Sequence, residues 1–202
     1  MPAVAARIMR IERDDIPQGT VALARYLLGK VLVREWSSAK AAGRIVETEA
    51  YLTNDPACHA FRGMTPRNRS LFLPAGHAYV YLCYGTSFLL NVSSEAQGVG
   101  EGVLLRALEP LYGTEHMWAG KGRGQLNLTR GPGRLTQALQ IDRRFEGIDL
   151  FVPGPLWIGS DGQPVGRIGR SARIGITKAA ELKLRYFIRG NRYVSGPRSL
   201  NE

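Results

Sequence analysis

Cysteine and histidine are scarce in this chain of 202 residues: two of the first, Cys58 and Cys83, and three of the second, His59, His77 and His116. Two cysteines cannot build the disulfide framework of a small secreted domain. Cys58 and His59 are adjacent rather than spaced as a chelating pair, and His77 and His116 stand alone, so neither a structural nor a catalytic metal is expected. No apolar run approaches the roughly 18 residues needed to cross a bilayer. The opening Met1-Pro-Ala-Val-Ala-Ala-Arg-Ile-Met-Arg10 carries too little apolar content for a signal peptide, so the expectation is a cytosolic protein without membrane contact.

Negative charge is the other shortage. Against 27 Lys+Arg there are 17 Asp+Glu, a net charge of +10. That balance favours a polyanionic partner, nucleic acid ahead of an anionic membrane, although a basic enzyme with neither partner fits the charge too. The hydrophobic share of 44% and charged share of 22% are those of a soluble globular protein. The length suits one domain, residues 1–202, with its own core. No repeat, low-complexity tract or linker interrupts it.

Residues Gln18 to Gly29 carry Val21, Leu23, Ala24, Leu27 and Leu28 at helical spacing, with Gly29 as a stop. Val31–Trp36 and Gly43–Tyr51 read as strands joined by small residues. Leu52–Pro74, punctuated by Pro56, Gly63, Pro66 and Pro74, reads as a long loop, a length usually reserved for function. Ala78–Tyr84 and Phe88–Ser93 flank Gly85-Thr86-Ser87 as a hairpin. Gly102–Leu108 is a further strand, ended by Glu109-Pro110, with a helix starting within Leu111–Met117. Gly120-Lys-Gly-Arg-Gly124 breaks any regular element, and Arg134–Leu139 is helical. Leu156–Ile158, Val165–Ile168, Arg173–Ile176 and Tyr186–Ile188 read as short strands.

Strand alternation places Ile45, Glu47, Glu49 and Tyr51 on one face of the second strand. Two carboxylates beside an aromatic are costly there unless the face meets water, cations or a substrate; a plain solvated face has the same spacing. Thr65-Pro-Arg-Asn-Arg69 offers two guanidiniums and an amide suited to phosphate, or an exposed charged loop. Tyr79 and Tyr81 share a face, a stacking surface for a base or ordinary sheet aromatics. Tyr84 stands at the turn with no core to fill.

In order along the chain, Gly43-Arg-Ile-Val-Glu-Thr-Glu-Ala-Tyr51, Thr65-Pro-Arg-Asn-Arg69, Tyr79-Val-Tyr-Leu-Cys-Tyr-Gly85, Asn91-Val-Ser-Ser94 and Val103-Leu-Leu-Arg-Ala-Leu-Glu-Pro110 resemble the alkyladenine (3-methyladenine) DNA glycosylases of the mammalian type. Gly131-Pro-Gly-Arg-Leu135, Arg173-Ile-Gly-Ile176 and Arg185-Tyr-Phe-Ile-Arg-Gly190 extend the resemblance over nearly the whole chain. The resemblance implies an α+β fold: one mixed domain, a curved antiparallel sheet flanked by helices, and a protruding β-hairpin that enters DNA. It implies base-excision repair; with no lysine assignable as a nucleophile the enzyme is expected to be monofunctional, and neither a cofactor nor a second subunit is expected. Damaged purines (3-methyladenine, other alkylated purines, hypoxanthine, ethenoadenine) would be flipped out of double-stranded DNA and their N-glycosidic bond hydrolysed. Carried over by motif, Glu49 activates water. Tyr51, His59 and Tyr81 hold the flipped base, Asn91 crowds the 2-amino group of guanine, and Arg106 lies beside the nucleotide backbone. Tyr84 fills the vacated stack; from their own chemistry, Thr65, Arg67, Asn68 and Arg69 are expected to touch DNA. Such an enzyme would be cytoplasmic, nucleoid-associated in a bacterium and nuclear in a eukaryote. Thr86-Ser87 depart from the family, which often carries Met and then His or another aromatic there.

Two other readings compete. A non-catalytic, basic, β-rich nucleic-acid-binding protein would not want Glu47 and Glu49 on its aromatic face, since carboxylates repel phosphate. A carbohydrate hydrolase could use both glutamates as acid and base, but the net charge and Arg67-Asn68-Arg69 favour DNA.

Overall fold

The structure, a computed structural model, describes residues 8–118 and 124–201. Nine strands among these residues form one antiparallel sheet. They are β1 (Met9–Arg10), β2 (Val31–Glu35), β3 (Lys40–Tyr51), β4 (Ala78–Cys83), β5 (Ser87–Ser93), β6 (Gly102–Tyr112), β7 (Leu156–Ser160), β8 (Ile168–Ser171) and β9 (Arg185–Ile188). The order is β1-β7-β2-β3-β6-β5-β4, with β9 pairing with β3 and carrying β8. Two helices, α1 (Thr20–Tyr26) and α2 (Pro132–Ala138), pack on it, α1 against β3 and β6 and α2 against β5 and β6. This is the mixed α+β fold expected.

Alternation sorts the sheet into two faces. Val46 and Ala50 of β3, Ala78 and Val80 of β4, Leu90 and Val92 of β5, and Val103, Leu105 and Ala107 of β6 are buried in the main core with Leu23, Ala24, Leu135 and Ala138 of the helices. Each of the valine and leucine side chains among them contributes about 1.5–3 kcal/mol by leaving water. Thr48 joins that face, its hydroxyl donating to the Ala24 carbonyl at 2.8 Å. The intervening residues point the other way: Glu47, Glu49 and Tyr51, then Tyr79 and Tyr81, Leu89 and Asn91, Leu104 and Arg106. The second face carries the candidate site residues.

Several expected boundaries differ. β3 starts at Lys40 rather than Gly43, and Ile45 belongs to the main core instead of sharing a face with Glu47 and Glu49. The register slips between Ile45 and Glu47 and again between Glu47 and Thr48; such bulges displace alternation by one residue, which no single-strand pattern can anticipate. β6 runs through Pro110 to Tyr112. Pro110 is tolerated because the ladder slips there: Gly43 faces Pro110 and Ala42 faces Tyr112, so the missing N–H falls at an irregular position. The helix expected in Leu111–Met117 is reduced to a 3-10 turn, Thr114–His116, after Gly113, whose φ of 70° and approach to the Lys40 carbonyl exclude a side chain. β8 begins only at Ile168, and Arg173–Ile176 is not a strand. The break expected at Gly120–Gly124 lies, apart from Gly124, outside the described residues.

Candidate active site

The second face encloses a cavity of about 700 Å³ lined by Tyr51, His59, Tyr81, Asn91, Arg106 and Ile174 among others. β4 supplies Tyr79 and Tyr81, stacked at 5.3 Å with their planes 28° apart. His59 comes from the loop after β3. Its ring meets Tyr81 edge-on at 4.5 Å, and its Nδ1 lies 2.9 Å from the Tyr79 hydroxyl. A small apolar cluster of Cys58, Ala60, Leu71 and Tyr79 supports this group from behind. Tyr79 itself is buried, so of the two tyrosines it takes the role of a core aromatic and Tyr81 remains partly open. Burial raises the phenols of Tyr51, Tyr79 and Tyr81, leaving them neutral. Burial, and then the cation of Arg67, lowers the His59 imidazole below its ordinary value, so it too is neutral at pH 7.

Glu49 stands behind the wall of this cavity, fully buried. One oxygen accepts the Tyr51 hydroxyl at 2.9 Å; the other accepts the Ile174 backbone N–H at 2.8 Å and lies 3.3 Å from an Arg106 Nη1. A carboxylate offers about four acceptor directions, and three are filled. The Ile174 contact explains why Arg173–Ile176 leaves the sheet: its N–H is aimed at a side chain, not at a neighbouring strand.

Glu47, one pleat away, carries four hydrogen bonds. Its Oε1 accepts from Arg106 Nε at 2.9 Å, Arg185 Nε at 2.7 Å and the Ser195 hydroxyl at 3.0 Å, and its Oε2 accepts the Ser195 N–H at 2.7 Å. Burial alone would raise its carboxyl, but Arg106 and Arg185 outweigh that and hold it below the ordinary carboxylate value. Burial alone would likewise lower Arg106; Glu49 and Glu47 reverse the sign and raise it. The face therefore meets cations, and Glu47, with two arginines and Ser195 on it, is held as a structural anion. Arg106, expected beside the nucleotide backbone, is clamped between both glutamates while still lining the cavity. Asn91 lines it too, its amide donating to the Tyr79 carbonyl at 3.1 Å.

The basic loop divides in two. Arg67 and Arg69 are exposed, Arg67 with its guanidinium 5.8 Å from the Tyr81 ring centre. Asn68 is buried, and all four of its amide hydrogen-bonding positions are used inside the loop. Its oxygen accepts from the Thr65 N–H at 2.6 Å and the Thr65 hydroxyl at 3.0 Å; its nitrogen donates to the carbonyls of His59 at 2.9 Å and Gly63 at 3.1 Å. Neither the Asn68 amide nor the Thr65 hydroxyl is spare for the phosphate contact expected of it. Instead they brace the loop that carries His59.

Tyr84 is 92% exposed at the tip of the β4–β5 hairpin, with φ +48°, followed by Gly85 at φ +70°. Two successive positive φ values are what a tight hairpin turn of matching twist needs. For a tyrosine that conformation costs about 1–2 kcal/mol, strain of the kind that collects at functional positions. The stem is seated on α2, where Gln137 donates to the Ser87 hydroxyl at 3.1 Å and Gly133 approaches Ser87 too closely for a side chain.

Sequence reasoning missed the supports. Arg185 beneath Glu47 is one; another is Arg173, buried with its guanidinium 4.5 Å from the Tyr51 ring centre and ion-paired to Asp55. Both arginines lie in quoted motifs, but their partners are more than a hundred residues away and no local spacing connects them. Among the described residues no group of His, Cys, Asp or Glu is placed to hold a metal, and no helix is long and apolar enough to cross a membrane.

A buried carboxylate behind an aromatic cavity at the root of an exposed hairpin, in a strongly basic chain, is an arrangement suited to an enzyme that acts on a planar ring of a polyanion. Known proteins sharpen this. The model of the family described as "Methylpurine-DNA glycosylase" matches residues 14–192. A protein of Mesorhizobium japonicum is 60% identical over 193 residues, covering 95% of this chain and 93% of its own length. Relatives from Paraburkholderia phytofirmans (47% identical; 96% and 91% covered) and Methanoculleus marisnigri (49%; 91% and 95%) are similar over comparable spans. All three bear the name "Putative 3-methyladenine DNA glycosylase". The chain belongs to the methylpurine-DNA glycosylase family, and is a DNA-repair hydrolase of N-glycosyl bonds.

Proposed function

We propose that this enzyme excises 3-methyladenine and other damaged purines from duplex DNA as a monomer, by flipping the base into the aromatic cavity and activating water with Glu49. The observation that carries the reading is the Glu49 carboxylate behind the cavity wall, oriented by Tyr51, Ile174 and Arg106. A stacked base cannot be attacked at its sugar carbon, so it is first extruded at a cost of a few kcal/mol. Tyr84, solvent-exposed at the tip of the hairpin turn, is suited to fill the gap. Alkylation at a ring nitrogen makes the purine cationic, and neutral aromatic rings attract such a ring by about 0.5–2 kcal/mol. A neutral His59 adds no repulsion. The buried charges of the wall balance, Glu47 and Glu49 against Arg106 and Arg185, which leaves the exposed Arg67 at the rim as the cation facing the pocket. The cationic base is already a good leaving group, and one positioned general base contributes ~10²–10⁴-fold. Glu47 is bound to two arginines and does not line the cavity, and no lysine stands among the lining residues, so the reading uses one carboxylate and no Schiff base.

The test is single-turnover base release from duplexes carrying one hypoxanthine, one ethenoadenine, or random methylation, for the wild type and Glu49→Gln. Release that vanishes in the variant while lesion binding persists is the expected result. Release surviving at the wild-type rate would remove Glu49 from the mechanism, and borohydride trapping of a protein–DNA adduct would overturn the monofunctional assignment.

A further inference from the structure

A second cavity, of about 500 Å³, lies beyond the catalytic wall and takes no part in the chemistry above. Its lining includes Phe187 of β9, Asn191, Asn201 and three arginines, Arg130, Arg192 and Arg198. Among the described residues none of these arginines makes an ion pair. Arg130 spends its Nε on the Val194 carbonyl at 2.9 Å, which fixes the guanidinium and leaves its terminal nitrogens uncommitted. Arg192 rests near the Tyr193 ring, 5.8 Å from its centre, and Arg192 and Arg198 are exposed. Three cations around one cavity repel one another. The Glu109 carboxylate, which accepts the Asn191 amide at 2.9 Å, makes no ion pair with any of the three among the described residues, and an anion in the cavity relieves the repulsion.

The position of the cavity says which anion. Arg130 is two residues before Pro132, which lines the catalytic cavity, so the two Cα atoms are at most about 7 Å apart. On the other side, Asn201 accepts from Arg185 at 2.7 Å, and Arg185 holds Glu47, which holds Arg106. The two cavities are neighbours separated by the segment around Ser195. A DNA backbone bound at the first cavity is long enough to reach the second. Guanidinium forks suit phosphate oxygens in geometry as well as charge.

We propose that the cavity bounded by Arg130, Arg192 and Arg198 is a phosphate site that grips the DNA backbone away from the flipped nucleotide. The proposal rests on duplex DNA being the substrate but not on Glu49 being the base. Phosphate contacts carry affinity and register rather than sequence, and each one lost flattens the logarithmic salt dependence of binding by about 0.9.

The experiment compares wild type, an Arg192→Ala/Arg198→Ala double variant and a charge-matched Lys30→Ala/Lys40→Ala control. Anisotropy titrations of undamaged and lesion-bearing duplex are run across a chloride series, with single-turnover base release at saturating DNA in parallel. Both replaced arginines are exposed, so folding is retained, which a matching thermal midpoint checks. The expected result is several-fold weaker binding to both duplexes and a shallower salt slope than the control, with the saturating release rate unchanged. A slope and affinity that track the control would overturn the proposal. So would unchanged DNA binding together with loss of a stabilising effect of inorganic phosphate, since the site would then hold free phosphate and not the backbone. Failure of the Glu49 assignment would appear separately, as base release in Glu49→Gln with these affinities intact.

Discussion

Glu47→Gln isolates what the buried ion network contributes. In the wild type Glu47 is the common acceptor of Arg106, Arg185 and Ser195, and Arg185 is wholly buried. The substitution keeps the shape but removes the charge, and wherever the new NH₂ points it meets a donor, either the Ser195 N–H or a guanidinium Nε–H. Breaking a buried ion pair from one side typically costs about 3–5 kcal/mol. For a domain of this size each kcal/mol lowers the thermal midpoint by about 2–4 °C, so a fall of roughly 6–20 °C is expected. The pH dependence gives a second reading. Glu47 is held below its ordinary value of 4.5, so the unfolded chain takes up the proton first. Its contribution is therefore complete above that value and is lost as the pH falls through it towards the lower folded one. The variant lacks this component, and the gap between the two proteins should narrow as pH drops below 4.5. Base release from the folded fraction should persist, because Arg106 Nη1, Tyr51 and Ile174 still orient Glu49. Thermal and urea unfolding over that pH range, with single-turnover release at neutral pH, make the measurement. An unchanged midpoint, or a loss of release as deep as in Glu49→Gln, would refute the reasoning.

Tyr84→Asn should leave stability unchanged or slightly raised, since asparagine tolerates a positive φ, yet shift the flipping equilibrium by about 1–3 kcal/mol; release from duplex should slow while release from single-stranded substrate does not. Asn68→Ala removes four hydrogen bonds at about 1 kcal/mol each, and loop protection around His59 in hydrogen exchange should fall with the midpoint. Because the folded state disfavours the protonated form of His59, stability should decline as pH falls below 6.5, and His59→Gln should flatten that limb of the unfolding profile.

Local pattern carried much of this protein. The hairpin around Gly85, the strand from Gly43 to Tyr51, the helical stretch before Leu139 and the basic loop were legible because alternation, helical spacing and turn residues act within a few positions. The pairing of Tyr79 with Tyr81, and the placing of Glu47 and Glu49 on one face, followed from the same period of two. Long-range closure was not legible. Whether Glu47 faced water or cations depended on Arg185 arriving beside it on β9 and Arg106 on β6. The bulges that moved Ile45 into the core arise from register between strands, not within one. Asn68 looked like a phosphate ligand until the loop folded around its amide, and the Ile174 N–H became a ligand of Glu49 only because that segment leaves the sheet. A side chain's periodic position is local information; its hydrogen-bond partners depend on which distant segment the packed sheet brings within about 3 Å.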